Sequence, residues 1–225
     1  MSLWNDRLDY IRSIPKTMYV NFKYFPFKDA LKVPLLVSHR VYLKSLKGEL
    51  IIEKKISFGI VKIGFGDISI FDKKNSRTIW EHNKESKIIF KGKANIGHGS
   101  KVSVSNKGHL IIGENFVITA ESAIVCQKKI SFGHNCLISW DTLIMDSDFH
   151  KIKNNEGNII NKPKEIVIGD NVWIGCRNLI LKGSRISDNT IVGASSLTNK
   201  AYQKNNIIIG GNPSKIIAEK ISWEV

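Results

Sequence analysis

The chain lacks any apolar run approaching the ~18 residues that a membrane-spanning helix needs, so no such helix is expected in its 225 residues. The stretch from Met1 to Arg12 mixes charges and has no apolar core of a secretory signal. A cytoplasmic location is therefore expected, with the inner face of the membrane as a variant. Cysteine is scarce: only Cys126, Cys136 and Cys176 occur. None has CxxC spacing, and an odd number excludes a complete disulfide framework within one chain. Burial as small apolar side chains is the expected role; a catalytic thiol is the sharper alternative. No RNA-binding or helix-turn-helix motif is present, so no nucleic-acid partner is expected. His98, His109, His134 and His150 are dispersed and offer no close pair for a metal.

What the chain does have is positive charge. Against 34 basic residues stand 20 acidic ones, a formal net charge of +14. Such a surplus suggests an anionic partner, and a nucleic acid, a membrane surface or a phosphorylated cofactor all qualify. A general bias toward Lys, Ile and Asn is the plain alternative. Residues 1–60 are the more densely basic part. Apolar content of 42% and charged content of 24% are ordinary for a folded domain.

A period of six runs through the second half. Ile168, Ile174, Ile180, Ile186 and Val192 follow one another at that spacing, as do Phe132, Ile138 and Ile144, and Ile112, Ile118 and Ile124. An α-helix cannot place residues six apart on one face, because six steps fall about 120° short of two turns. After the aliphatic residue comes Gly in Ile112-Gly113, Phe132-Gly133, Ile168-Gly169, Ile174-Gly175 and Val192-Gly193. Two positions later stand Asn115, Asn135, Asn171, Gly183 and Asn189, the residue types that accept positive φ most cheaply. One further on the residue is small: Ser122, Cys136, Thr142, Ser184, Thr190 and Ser196. Each hexapeptide then makes one short strand and one corner, three make a coil, and coils stack as parallel sheets.

This pattern resembles the left-handed β-helix of the hexapeptide-repeat transferases. The expected fold class is all-β: a left-handed parallel β-helix of hexapeptide repeats, with an N-terminal capping region and a long catalytic loop. Three regions are expected. Residues 1–55 hold Trp4, Tyr10, Tyr19, Phe22, Tyr24, Phe25 and Phe27 among Lys16, Lys23, Lys28 and Lys32. They read as a cap on the first coil or as a basic-aromatic surface for peripheral contact with an anionic membrane, and Leu3 to Ile14 as a short helix broken at Pro15. Residues 56–198 form the β-helix, irregular at first and interrupted at 145–165. Residues 199–225 form a tail. An interruption of about 20 residues is expected to be functional or disordered.

The interruption opens Met145-Asp146-Ser147-Asp148-Phe149-His150. A His at the root of a long excursion from a rigid scaffold is a candidate general base, and Asp146 or Asp148 is expected to support it. From Val117 to Ile217 the chain is similar to the galactoside, maltose and xenobiotic O-acetyltransferases. The motifs are Ile168-Gly169-Asp170-Asn171-Val172-Trp173-Ile174-Gly175 and Gly210-Gly211-Asn212-Pro213-Ser214-Lys215-Ile216-Ile217. The resemblance implies acetyl-CoA as acyl donor, no required metal, a homotrimer with sites between subunits, and His150 as the base. It also implies Trp173 as an aromatic wall near the acceptor and donor. Ala194 and Ser195 fall where the pantetheine arm is contacted, Asn199 and Lys200 near the CoA phosphates, and Lys215 near the 3′-phosphate. Glu121 stands where the galactoside branch has an acceptor-binding Asn, so the acceptor is expected to differ. The long basic N-terminal region looks like members that acetylate surface polysaccharide. An N-acetyltransferase on an amino sugar, a xenobiotic acetyltransferase and a non-enzymatic scaffold are the alternatives. A zinc-dependent carbonic anhydrase on the same scaffold is disfavoured by the scattered histidines.

Overall fold

The computed structural model describes residues 3–224, with side chains from Arg7 onward; Trp4 lies outside the described side chains. Three sheets run the length of the molecule and are visited in strict rotation. Sheet I begins at Leu35–Val37, sheet II at Tyr42–Leu46 and sheet III at Glu49–Ile52. Each later strand pairs in parallel with its counterpart one coil earlier, as Val61–Phe65 does with Leu35–Val37. The result is a triangular prism.

Register is set by the inward-facing side chains. On sheet I a single column runs Val37, Ile63, Ile96, Ile118, Ile138, Ile174, Val192 and Ile209, and every member is buried. Phe90, Ile112, Phe132, Ile168 and Ile186 form the matching column on sheet III. Parallel strands buried between neighbours need this run of bulky aliphatics, since each coil covers only the coils on either side.

The corners behave as the sequence predicts. Asn115, Asn135, Asn171 and Asn189 all have positive φ, between 52° and 57°. Their side chains also form a ladder, Asn115 to Asn135 at 3.0 Å and Asn171 to Asn189 at 2.9 Å. The small residues of the repeat, Ser122, Cys136, Thr142, Ser184, Thr190 and Ser196, are buried. The Gly two residues before Asn115, Asn135 and Asn171 has a different cause. A Cβ on Gly113 would lie 2.0 Å from the Gly133 carbonyl oxygen, so the next coil could not stack there.

The N-terminal region departs from expectation in three ways. The helix does not break at Pro15: α1 spans Leu3–Tyr24, followed by the short α2 at Phe27–Ala30. Pro15 sits on its exposed side, where the carbonyl it leaves free meets solvent. The coils begin at Leu35 rather than at residue 56, because three strands pair in parallel with the next coil without the hexapeptide turns. They also continue beyond residue 199, through Ala201–Tyr202 and Ile207–Gly210, where an antiparallel strand, Lys215–Glu219, takes the last position in sheet I.

α1 packs along the first strand of sheet I. Leu35–Val37 is the free edge of sheet I, with backbone groups that need partners. Asn21 Nδ2 donates to the Leu35 carbonyl at 2.8 Å and Asn21 Oδ1 accepts from its N–H at 3.1 Å. One turn earlier, Thr17 Oγ1 bridges the N–H and carbonyl of Val37, and Ser13 Oγ accepts from the His39 N–H at 2.9 Å. Polar residues at i, i+4 and i+8 thus stand in for a missing strand. Farther along, the Trp80 indole donates to Tyr24 Oη at 3.0 Å, and Tyr24 Oη lies 3.1 Å from His82 Nδ1. The outer face of α1 and α2 exposes Ile11, Ile14, Phe22 and Phe27 near Lys23 and Lys28. No helix among the described residues is long and apolar enough to cross a membrane.

Candidate active site

The interruption in the repeat leaves the prism at a corner between sheets II and III, between Leu143–Met145 and Ile166–Ile168. Its root is clamped. The buried Asp146 carboxylate accepts three backbone N–H bonds from the coil before: Gln127 at 2.7 Å, Lys128 at 2.8 Å and Lys129 at 2.7 Å. Its carbonyl accepts from the Lys164 N–H at 3.1 Å, which closes the other end. The expected support of His150 by Asp146 is thereby corrected, since both oxygens are spent on backbone.

Asp148 has a different set of partners. Its carboxylate accepts from Asn161 Nδ2 at 2.9 Å and from Lys182 Nζ. The Lys182 ammonium, then Asn161, hold its pKa below the usual carboxylate value. No bond joins its carboxylate to the imidazole. What fixes His150 is backbone. Its N–H donates to the Asp148 carbonyl at 2.7 Å, its carbonyl accepts from Asn161 Nδ2 at 2.7 Å, and Phe149 before it holds φ at 60°. The ring itself is exposed, and no described residue bonds it.

The rest of the excursion is ordered, not structureless. Ile160 N–H donates to the Ile152 carbonyl at 3.0 Å, and Lys153 bridges Ile159 antiparallel. Asn154 Oδ1 caps the turn by accepting from the N–H groups of Glu156 and Asn158, and Gly157 takes φ 83°. A small hairpin therefore follows His150 in the chain. Asn161 and Lys182 were missed from the sequence. Lys182 could have been found, because it occupies the same corner one coil later.

The other expected site residues lie on different parts of one prism. Glu121 is at a corner between sheets I and II. Its carboxylate bonds Lys101 Nζ at 2.5 Å and Ser76 Oγ, and Ser76 Oγ lies 3.1 Å from His98 Nδ1. Burial pushes the His98 pKa down. Ser76 belongs to the insertion 66–78, which the sequence did not connect with Glu121. Ala194 and Ser195 are exposed at the same kind of corner, two coils beyond Ser139 and Asp141. Asn199 and Lys200 are exposed on the corner that carries His150, with Lys200 Nζ 5.4 Å from the Tyr202 ring centre. Trp173 stands on the outer face of sheet I, donates to Ser139 Oγ at 3.1 Å and packs on Trp223 at 5.9 Å. Lys215 is exposed, and Ser214 beside it is anchored to Tyr202 and Thr198.

The cysteines are free. Burial pushes the Cys126 and Cys136 thiols up, Cys136 to about 12, so neither is poised as a nucleophile. Among the described residues no three His, Cys, Asp or Glu side chains converge as metal ligands.

No family model matches the chain. An uncharacterized 24.8 kDa protein in the cps region of Klebsiella pneumoniae is 28% identical over 207 residues, 91% of this chain and 88% of the relative. The galactoside O-acetyltransferase of Escherichia coli (strain K12) is 30% identical over 146 residues, 62% of this chain and 70% of the enzyme. The chain belongs to the hexapeptide-repeat O-acetyltransferases. The crystal structure of the polySia-specific acetyltransferase NeuO superposes with a TM-score of 0.51 at 24% identity, covering 82% of this chain and 72% of that one. That likeness bears out the fold class, a left-handed parallel β-helix. The chain is thus an acetyltransferase of this family.

Proposed function

We propose that this acetyltransferase moves the acetyl group of acetyl-CoA to a sugar hydroxyl, in a surface polysaccharide or its precursor, with His150 as general base. The observation that carries this is the His150 imidazole: exposed, free of internal partners and held by backbone at a clamped root. A ring so held can take the acceptor's hydroxyl proton. The oxygen then attacks the thioester carbonyl, the C–O bond forms, the C–S bond breaks and CoA leaves as its thiol. A positioned base of this kind is worth roughly 10²–10⁴-fold.

The donor side rests on Lys200 and Lys215, exposed ammonium groups suited to phosphate as point charges, and on the open turn at Ala194 and Ser195. His150 and these two turn residues lie at different corners of one prism. A site that unites them needs a second copy, and a homotrimer supplies one at each of three clefts. The place of work is the cytoplasm, with the outer face of α1 against the anionic inner membrane surface. Exposed Ile11, Ile14, Phe22 and Phe27 beside Lys23 and Lys28 support that contact. Protein left wholly in the supernatant with phosphatidylglycerol vesicles would overturn the membrane contact.

Release of free CoA from acetyl-CoA, measured against a panel of sugars, amino sugars and polysaccharides, tests the main reading. Acceptor-dependent release is expected. No binding of acetyl-CoA, and no release with any acceptor, would contradict it.

A further inference from the structure

The positive charge of this protein is not spread evenly over its three edges. Turns from sheet I to sheet II carry Arg40, Lys73, Lys74, Arg77 and Arg177 against Asp67, Asp72, Glu121 and Asp141. Turns from sheet III back to sheet I carry Lys54, Lys55, Lys91, Lys93 and Lys204 against Glu53, Glu114, Asp170 and Asp188. Each of these edges is close to balance. The edge from sheet II to sheet III is not. Every short turn on it holds one lysine: Lys47, Lys84, Lys107, Lys128, Lys182 and Lys200, with Glu85 as the only acidic residue. This is also the edge from which the His150 excursion emerges.

Lys47, Lys84, Lys107 and Lys128 precede the excursion, one per coil, and all four are exposed. Among the described residues, Lys47, Lys107 and Lys128 have no acidic partner, and Lys84 meets only its neighbour Glu85 at 3.9 Å. The strands that follow start with Glu49, Lys87, His109 and Lys129 on sheet III, where Lys87 pairs with Glu49 at 2.9 Å and Lys129 with Glu165 at 3.9 Å, so the unmatched charge is confined to the turns. Coils are about 4.8 Å apart, so the four turns span roughly 14 Å and end one coil short of the one from which the His150 excursion emerges. Like charges at that spacing repel one another unless a counter-charge lies along them.

We propose that this lysine row is the binding track for a polyanionic glycan, an acidic polysaccharide laid along the edge so that one of its hydroxyls reaches His150. The inference rests on the sugar acetyltransferase reading and names its acceptor as acidic and extended. The row is one lysine wide and its short turns hold no aromatic side chain, so it offers no stacking platform for bases of a nucleic acid. It also lies on the far side of His150 from Lys200, where the donor phosphates are placed. The track therefore serves the acceptor and not CoA.

The test is the full-length protein with Lys47, Lys84, Lys107 and Lys128 all changed to Gln. The probes are polygalacturonic acid fragments of defined length, neutral dextran fragments of equal length, and a single-stranded DNA of matched charge. Wild type should bind the acidic glycan with an affinity that falls steeply with salt, and bind dextran weakly. At about a factor of two per lysine, the quadruple variant should lose roughly 16-fold. Its acetyl-CoA affinity and its melting temperature should be unchanged, which separates the track from the donor site and from misfolding. Equal binding of acidic and neutral glycans, tighter binding of the DNA, or an unchanged affinity in the variant would overturn the track. Loss of acetyl-CoA binding in wild type would instead strike the acetyltransfer reading.

Discussion

The coils before His109 and those after it share one set of buried columns, yet they are built differently at the corners. In the later coils the turns are short apart from the 146–165 excursion, Gly-x-Asn at 113–115, 133–135 and 169–171, and the six-residue phase is kept within each run. In the earlier coils the turns run up to the insertion 66–78, and the phase is lost. The parallel pairing is in register in both, apart from the bulges near Ser45 and Phe65. Registration is thus the work of inward side chains and parallel ladders, whereas turn length is free to vary. The early coils use that freedom: their long turn delivers Ser76 to Glu121, and they carry the buried His82 and His98.

If the columns are equivalent, truncation should cost the same in both regions. Ile138→Ala in the later coils and Ile63→Ala in the earlier ones should each lower stability by about 2–5 kcal/mol in urea melts. A cost under 1 kcal/mol for Ile63→Ala alone would break the comparison.

Acid should separate the two regions. His82 is fully buried, and burial lowers its pKa to about 4. The unfolded chain then binds the extra proton between about pH 6.5 and 4, so stability is full above pH 6.5 and falls as the pH drops through that window. The loss is about 3 kcal/mol for this one residue. Amide exchange at pH 4.5 should accelerate first in the strands up to Val104, and His82→Gln should flatten the pH dependence. Uniform loosening of all coils would contradict the assignment.

The smallest effect is expected at the later corners. Asn135→Ala places a Cβ residue without a polar side chain at φ 55° and removes the bond to Asn115. A cost of about 1–2 kcal/mol is expected, and Asn135→Gly should recover most of it.

These contrasts also explain what could be read in advance. The aliphatic period, the Asn at positive φ and the buried small residue follow from sterics repeated at one spacing, so they stand out in the sequence. The coils at 35–52 do not, because their turns, such as Ser38–Val41, carry no repeated residue type. Pro15 pointed to a helix end, but the bonds of Ser13, Thr17 and Asn21 to the sheet edge hold α1 together beyond it. His150 could be picked out because it sits where the period stops. Its supports could not: Asp146 looked like a partner by proximity in sequence, whereas its carboxylate turns back to the coil at Gln127–Lys129, 17 to 19 residues away along the chain and adjacent only in the stacked prism.

The most direct measurement is turnover by His150→Ala with acetyl-CoA and an accepted glycan, alongside acetyl-CoA affinity. Loss of about 10²–10⁴-fold in turnover with donor binding intact is the expected result. Turnover within a few fold of wild type would contradict the role assigned to His150 and, with it, the clamped loop as the catalytic element.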